Sequence, residues 1–275
     1  MFDTHCHLNF KAFRKNLNDV YQRAINAGVD SIIVPGTDVE TSKKAVDIAG
    51  QYKGVFGAVG IHPHHAEEVR RKNLELRMVI KEIEELLKND KVVAVGEVGM
   101  DLYEYANSKY GIHQIDEESI QLQEQMVRMQ IQLAVTYHKG LILHNRLAKK
   151  QLLSVLEEEW DESLRGRAVF HCCEPDKDLL IYAEKYGLFI GVDGDVTFIK
   201  EKQDFIRKVP LDMLVLETDS PYLLPEPLRT QKKYPNEPKN IPLIAEYIAI
   251  LKGVETHEVL TQTTKNAKLC FFLSK

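Results

Sequence analysis

Eight short apolar runs recur along the chain: FDTH at 2–5, SIIV at 31–34, VFGAVG at 55–60, VVAVG at 92–96, LILH at 141–144, AVFH at 168–171, LFIGV at 188–192 and LVLE at 214–217. They are continuous rather than alternating, the pattern of parallel strands covered on both faces. Between most of them, apolar residues return at helical spacing. Phe13, Leu17, Val20, Tyr21 and Ala24 share one stripe, and Ile83, Leu86 and Leu87 mark another. Ile120, Met126, Met129 and Leu133 mark a helix near 117–138, and two more helices are predicted near 240–252 and 255–272. Eight alternations of strand and helix predict an α/β fold, a (β/α)8 TIM barrel. No linker, low-complexity tract or short repeat interrupts the pattern, so residues 1–275 are expected to form a single domain. The Pro-rich stretch 221–242 reads as a long loop over the barrel mouth rather than a boundary.

Composition adds boundaries. The 275 residues are 44% hydrophobic and 28% charged, enough for a substantial core. A net charge of −5 gives no general attraction to nucleic acid or anionic membranes, so a polyanionic substrate would need a local patch or bound cations. Asp3 and His5 interrupt any apolar N-terminal run, and no stretch approaches transmembrane length, so neither a signal peptide nor a membrane partner is expected. The four cysteines, Cys6, Cys172, Cys173 and Cys270, form no C-x-x-C pair and no disulfide framework. Reduced thiols and a cytoplasmic setting follow.

The candidate chemistry sits where the strands end. His5 and His7 are two apart, so in an extended chain they share a face and can converge on one point. His62 follows the third run, Glu97 the fourth, His144 ends the fifth and His171 the sixth. The eighth leads through Glu217 to Asp219. In a barrel every strand C-terminus opens onto the same face, so residues distant in sequence become neighbours around one mouth. Imidazole and carboxylate in a circle are the donors of a divalent-metal site. His113, His138 and His257 lie away from strand ends and read as structural or solvated; His64 and His65 read as rim residues.

Six motifs in order, DTHCHL at 3–8, GIHPH at 60–64, GEVGMD at 96–101, LHNR at 143–146, FHC at 170–172 and ETDSPYL at 217–223, with PNEP at 235–238, resemble the TatD-type deoxyribonucleases of the amidohydrolase superfamily over nearly the full chain. The resemblance implies two divalent ions per chain, zinc, manganese or magnesium. His5, His7 and Asp219 would hold one ion, His144 and His171 the second, and Glu97 would bridge them. A carboxylate has two oxygens and can span two ions about 3.5–4 Å apart, whereas an imidazole nitrogen serves one. The implied reaction is metal-dependent hydrolysis of a phosphodiester in DNA or RNA, at single-stranded regions or ends. Asp219 and Glu97 would be the catalytic carboxylates, and His62, Arg146 and Tyr222 would contact substrate. A monomer is expected. The rival reading is a small-molecule amide, lactone or ester hydrolase. Relatives that open cyclic amides often carry a carboxylated lysine on strand four, where this chain has Glu97 and no lysine.

The chain departs from that pattern in three loops. Asn145 stands where a serine is usual. HCCEP at 171–175 replaces a Ser-Gly turn with Glu174 and Pro175, and DGDVTF at 193–198 brings in Asp193 and Asp195. Three added acids near the mouth would repel a polyanion unless metal-bound or turned away, which lends weight to the rival. The segment 104–119 is longer than usual. Cys172 and Cys173 read either as packed thiols or as metal ligands. Asp3 reads as a residue that orients a ligand histidine or as a cap of the first turn, and Asp101 as a loop-holding acid. Tyr103 is a candidate base-stacking residue beside Tyr222, and Glu217 is either an acid behind the ligands or a substrate contact.

Overall fold

The computed structural model describes residues 1–71, 75–108, 111–113 and 115–271. Eight strands, β1 (Phe2–Asp3), β2 (Ser31–Pro35), β3 (Val55–Val59), β4 (Val92–Asp101), β5 (Gly140–Arg146), β6 (Ala168–Phe170), β7 (Phe189–Val192) and β8 (Leu214–Leu216), pair in chain order, each parallel to the next. Helices α1 (Leu17–Asn26), α2 (Val39–Gln51), α3 (Ala66–Arg71), α4 (Leu76–Leu87), α5 (Glu117–Thr136), α6 (Lys149–Glu159), α7 (Lys177–Tyr186) and α8 (Lys200–Ile206) fill the connections, and α9 (Ile241–Lys252) and α10 (Thr256–Cys270) follow the last strand. Thr4 N donates to Leu216 O (3.0 Å), His7 N to Ser220 O (2.8 Å) and Asp219 N to His5 O (2.9 Å), which joins the first strand to the last and closes the (β/α)8 ring.

The strands read as continuous apolar runs because both faces are buried. Phe2, Ile33, Ala58, Ala94, Ile142, Val169, Phe189 and Val215, one from each strand, form one cluster with Cys270 and Phe271. The neighbouring strand residues, such as Ile32, Val34, Leu141 and Leu143, pack in a second cluster with the apolar stripes of the helices, Val20, Ile83, Met126 and Ile248 among them. Asp38, Asp116 and Asp176 cap α2, α5 and α7 by accepting from backbone N–H groups one turn on, which satisfies donors a helix start leaves open. No helix among the described residues is long and apolar enough to cross a membrane.

Several boundaries differ from the sequence expectation. The first strand stops at Asp3; beyond it the backbone pairs with the extension of β8 through a Cys6–Ser220 bridge and keeps a bond to β2 from Cys6 N to Ile33 O (3.0 Å). Strands β4 and β5 run on to Asp101 and Arg146, re-registering from Val95↔Leu141 to Val98↔Leu143 across a bulge. Phe13 precedes α1 yet is fully buried. The 104–119 segment carries a two-stranded hairpin, Tyr105–Ser108 with Gly111–His113, so His113 lies on a strand and not in a loop; its side chain is outside the described set, as are residues 109, 110 and 114. The Pro-rich stretch is fastened to the C-terminal rim: Asn236 Nδ2 donates to Thr218 O (2.9 Å) and Glu226 N to Thr197 Oγ1 (2.9 Å).

Candidate metal centre

The extended backbone after β1 turns Cys6 into the core and His5 and His7 to a common point, their Nε2 atoms 3.2 Å apart. The His7 ring is stacked on Phe10, centroids 4.1 Å apart. Glu97, on β4 and buried, brings Oε2 to 3.4 Å from His5 Nε2 and 3.7 Å from His7 Nε2. Asp219 Oδ1 lies 3.8 Å from His5 Nε2 and 3.5 Å from His7 Nε2. A tetrahedral ion with arms of about 2.0–2.1 Å needs donor atoms about 3.3 Å apart. Five of the six edges of this group are known and fall between 3.2 and 3.8 Å, so the donors fit an ion of that size.

The second Glu97 oxygen faces elsewhere. Oε1 is 2.9 Å from His144 Nδ1, 3.4 Å from His62 Nε2 and 3.8 Å from His171 Nε2. Glu97 thus presents one oxygen to each of two imidazole groups. His62, expected to touch substrate, stands close enough to belong to the second group as a donor. Asp219 holds a left-handed backbone (φ 48°), which Asp tolerates better than most residues, and its position is fixed by the Asp219 N to His5 O bond at the ring closure.

Charge in this pocket is set by competition. Burial disfavours the Glu97 carboxylate, yet the surrounding His62, His144 and His5 hold it well below the usual range. Burial also disfavours charge on His144 and His171. Asp101 and Glu97 nevertheless hold His144 up at about 9, and Glu217, Glu97 and Asp219 hold His171 up at about 10. Burial pushes His62 down to about 3, so that ring stays neutral. Behind the rings lie two more buried acids. Asp101 Oδ2 is 3.3 Å from His144 Nε2 and 2.7 Å from His64 Nε2, and Glu217 Oε1 is 3.1 Å from His171 Nδ1. The Nδ1 atoms of His5, His7 and His171 are buried without a hydrogen bond of good geometry, and of the three only that of His171 has a carboxylate, Glu217, within 4 Å among the described residues.

The family model for TatD related DNase matches residues 2–272. The chain belongs to this family. It is 32% identical to an uncharacterized metal-dependent hydrolase of Bacillus subtilis, YabD, over 98% of each chain. It is 30% identical to the 3'-5' ssDNA/RNA exonuclease TatD of Shigella flexneri, again over 98% of each. The solved structure of the TatD homolog YJJV from Escherichia coli K12 superposes with a TM-score of 0.85 at 27% identity, covering 100% of this chain and 98% of that one.

Within this TatD-family barrel the three departing loops prove to be internally compensated. Asn145 Nδ2 donates to the Glu174 carboxylate, which also accepts from Leu147 N (3.2 Å), so two of the unusual residues partner each other. Asp193 and Asp195 face Lys202 of α8, a lysine that sequence reading passed over: its Nζ lies 3.3 Å from Asp193 Oδ2 and 3.0 Å from Asp195 Oδ2. These two acids are turned onto an internal ammonium rather than left open to the mouth. Cys172 and Cys173 are free thiols. Burial pushes the Cys173 thiol up to about 12, and Cys172 Sγ stands 3.8 Å from Lys202 Nζ, so the cation beside it is an ammonium.

The remaining predicted residues fall at the rim or behind the ligands. Arg146 is exposed, with its guanidinium 4.1 Å over the Tyr103 ring. Tyr222 is 53% exposed and meets Phe10 edge-on at 6.4 Å. Asp3 accepts from Thr218 N (3.0 Å), Thr218 Oγ1 (2.6 Å) and His5 N (3.3 Å), so it ties backbone at the ring closure and does not orient an imidazole. His65 is buried against Glu68, while His138 and His257 are exposed and away from the mouth. The partnership of Asp101 with His64 was missed; an acid four residues beyond Glu97 on a strand and a histidine two beyond His62 were its only sequence signal.

Proposed function

We propose that the protein is a two-ion phosphodiesterase that shortens single-stranded DNA or RNA from an end, the whole 1–275 chain acting as one unit. The observation that carries this reading is the division of Glu97, with one carboxylate oxygen toward His5 and His7 and the other toward His144, His62 and His171. Asp219 Oδ1 completes the first group and reaches to 4.0 Å from His171 Nε2. Divalent ions bound there would supply Lewis acidity, neutralising charge on a phosphoryl group and easing loss of a proton from an attacking water. Zinc, manganese and magnesium are all compatible with donors of this kind. Asp219 takes that proton on its other carboxylate oxygen, Oδ2, since its side chain keeps more access to solvent than that of Glu97, 15% exposed against 5%. Neutral His62 orients a non-bridging phosphoryl oxygen from the β3 side. Arg146 on Tyr103 and Tyr222 on Phe10 hold flanking nucleotides by charge and stacking.

The small-molecule reading loses the support it drew from the acidic loops, because Asp193 and Asp195 are matched by Lys202 and Glu174 by Asn145. A nuclease of this type also bears the family's description and the activity in the name of the Shigella relative. The test is hydrolysis of an end-labelled single-stranded oligonucleotide by chelator-stripped protein, with and without restored manganese. Activity restored by metal and abolished in Glu97→Gln is expected. Hydrolysis that survives with metal content near zero refutes it.

A further inference from the structure

We propose that Asp101 and Glu217 are positioning residues that govern one of the two ion positions: each engages the outer nitrogen of a histidine, so that the ring's other nitrogen faces Glu97. The inference rests on the two-ion reading above. Its basis is a difference between the two imidazole groups. In His144 the inner atom is Nδ1, 2.9 Å from Glu97 Oε1, and the outer atom is Nε2, 3.3 Å from Asp101 Oδ2. In His171 the roles are exchanged: Nε2 points inward, 3.8 Å from Glu97 Oε1, and Nδ1 points outward, 3.1 Å from Glu217 Oε1. Each ring therefore spans from the shared carboxylate to a buried acid of its own. Among the described residues, the carboxylates within 4 Å of His5 and His7 are Glu97 and Asp219, both at the inner Nε2 atoms, and none lies that close to either Nδ1. Among the described residues, then, an acid stands behind the outer ring nitrogen in one half of the centre and not in the other.

Both acids are themselves held in place. Asp101 is 1% exposed; its Oδ1 accepts from Tyr103 N (2.9 Å), and its backbone is clamped at both ends by Gln123, whose Oε1 accepts from Asp101 N (2.8 Å) and whose Nε2 donates to Asp101 O (3.1 Å). Its Oδ2 is shared between His144 and His64. Glu217, also 1% exposed, accepts from Cys172 N, the residue after His171, and so fixes both the ring and the backbone beside it. Space for this carboxylate exists because position 191 is glycine: a Cβ there would lie 2.5 Å from Glu217 Oε1 and 2.8 Å from its Cδ. A carboxylate behind a histidine selects which nitrogen carries the proton and raises the basicity of the other. Losing such a partner typically weakens a metal site by about 10–100-fold.

The experiment titrates manganese into the chelator-stripped full chain by calorimetry and reads the coupled-ion signal by electron paramagnetic resonance. The parent is expected to bind two ions. In Asp101→Ala and Glu217→Ala, affinity for one ion should fall roughly 10–100-fold, with the other unchanged within about threefold and the coupled signal lost at matched manganese. Glu217→Gln keeps an acceptor oxygen and should recover most of the loss, which separates ring orientation from mere structural damage. Gly191→Ala should reproduce Glu217→Ala without removing any charge, and serves if that variant fails to fold. Parental affinity for both ions in the alanine variants, equal weakening of both ions, or no recovery in Glu217→Gln would each overturn the inference. A parent that binds a single ion overturns the two-ion reading instead, and the roles of Asp101 and Glu217 then stand or fall on whether that ion is weakened in the variants.

Discussion

Lys202→Met would remove an ammonium from the interior beside the barrel mouth. Lys202 is 2% exposed and Asp193 is fully buried, with Asp195 close behind. Burial and the neighbouring Asp193 push the Asp195 carboxyl well above the usual range, while Lys202 holds Asp193 below it against the cost of burial. The cluster therefore carries close to one positive and one negative charge. Deleting the positive one strands a carboxylate in a low-dielectric site, a change that costs about 3–5 kcal/mol when one partner of a buried pair is lost. At roughly 2 °C per kcal/mol for a chain of this size, the melting temperature should fall by about 6–10 °C. Thermal unfolding by circular dichroism at pH 7.5 measures it. Lys202→Met/Asp193→Asn should recover most of the loss, because it removes the orphaned charge with its partner. A fall of less than about 2 °C, or a double variant no more stable than the single, would show that these charges are hydrated and refute the reasoning.

Gly99 has φ +151°, and a Cβ there would lie 1.9 Å from His144 O, so Gly99→Ala should cost roughly 3 kcal/mol or more and displace His144; denaturant unfolding with a manganese titration checks both. Glu174→Ser leaves Asn145 Nδ2 and Leu147 N without their acceptor and should destabilise by about 1–3 kcal/mol, whereas Asn145→Ser/Glu174→Ser should lose less than the sum of the singles; additive losses would show that the two residues do not act as a pair. In the ion-free protein His144 and His171 are held at about 9 and about 10, above the ordinary 6.5, so the stability they confer is full below about pH 6.5 and is lost as pH climbs through 9 to 10. An ion that uses both rings must displace those protons. Its apparent affinity should therefore rise with pH up to that window, with proton release at pH 7.5 visible as a buffer-dependent heat of binding.

The barrel was legible because its signals are local. Runs such as IIV and VVAVG carry no polar side chain, which only strands covered on both faces require, and the polar residues ending most runs mark the face where the chemistry collects. His5, His7, Glu97, His144, His171 and Asp219 were found on that basis and do converge. What supports them was not legible. Lys202 sits in α8 among Lys200, Glu201 and Gln203 and looks like any solvated helix lysine; only packing turns it inward. The Asn145–Glu174 pair spans two loops 29 residues apart, so each residue alone read as an oddity. The hairpin at 105–113 went unseen because its two strands are short and lack apolar alternation.

The seam that closes the barrel joins two short stretches, the two residues of β1 and the three of β8, through bonds that involve Thr4, His5, His7 and Asp219. A cylinder of strands opens more readily where short strands leave few rungs to hold it. On the proposed reading, an ion held by His5, His7 and Asp219 grips that gap from both edges, so it acts as a clasp on the fold as well as a reagent. Amide exchange at His7 and Asp219 then becomes a gauge of occupancy, slow when the clasp is shut and fast when it is removed, while the amides of β4 and β5, deep on the opposite wall, keep the same pace in both states.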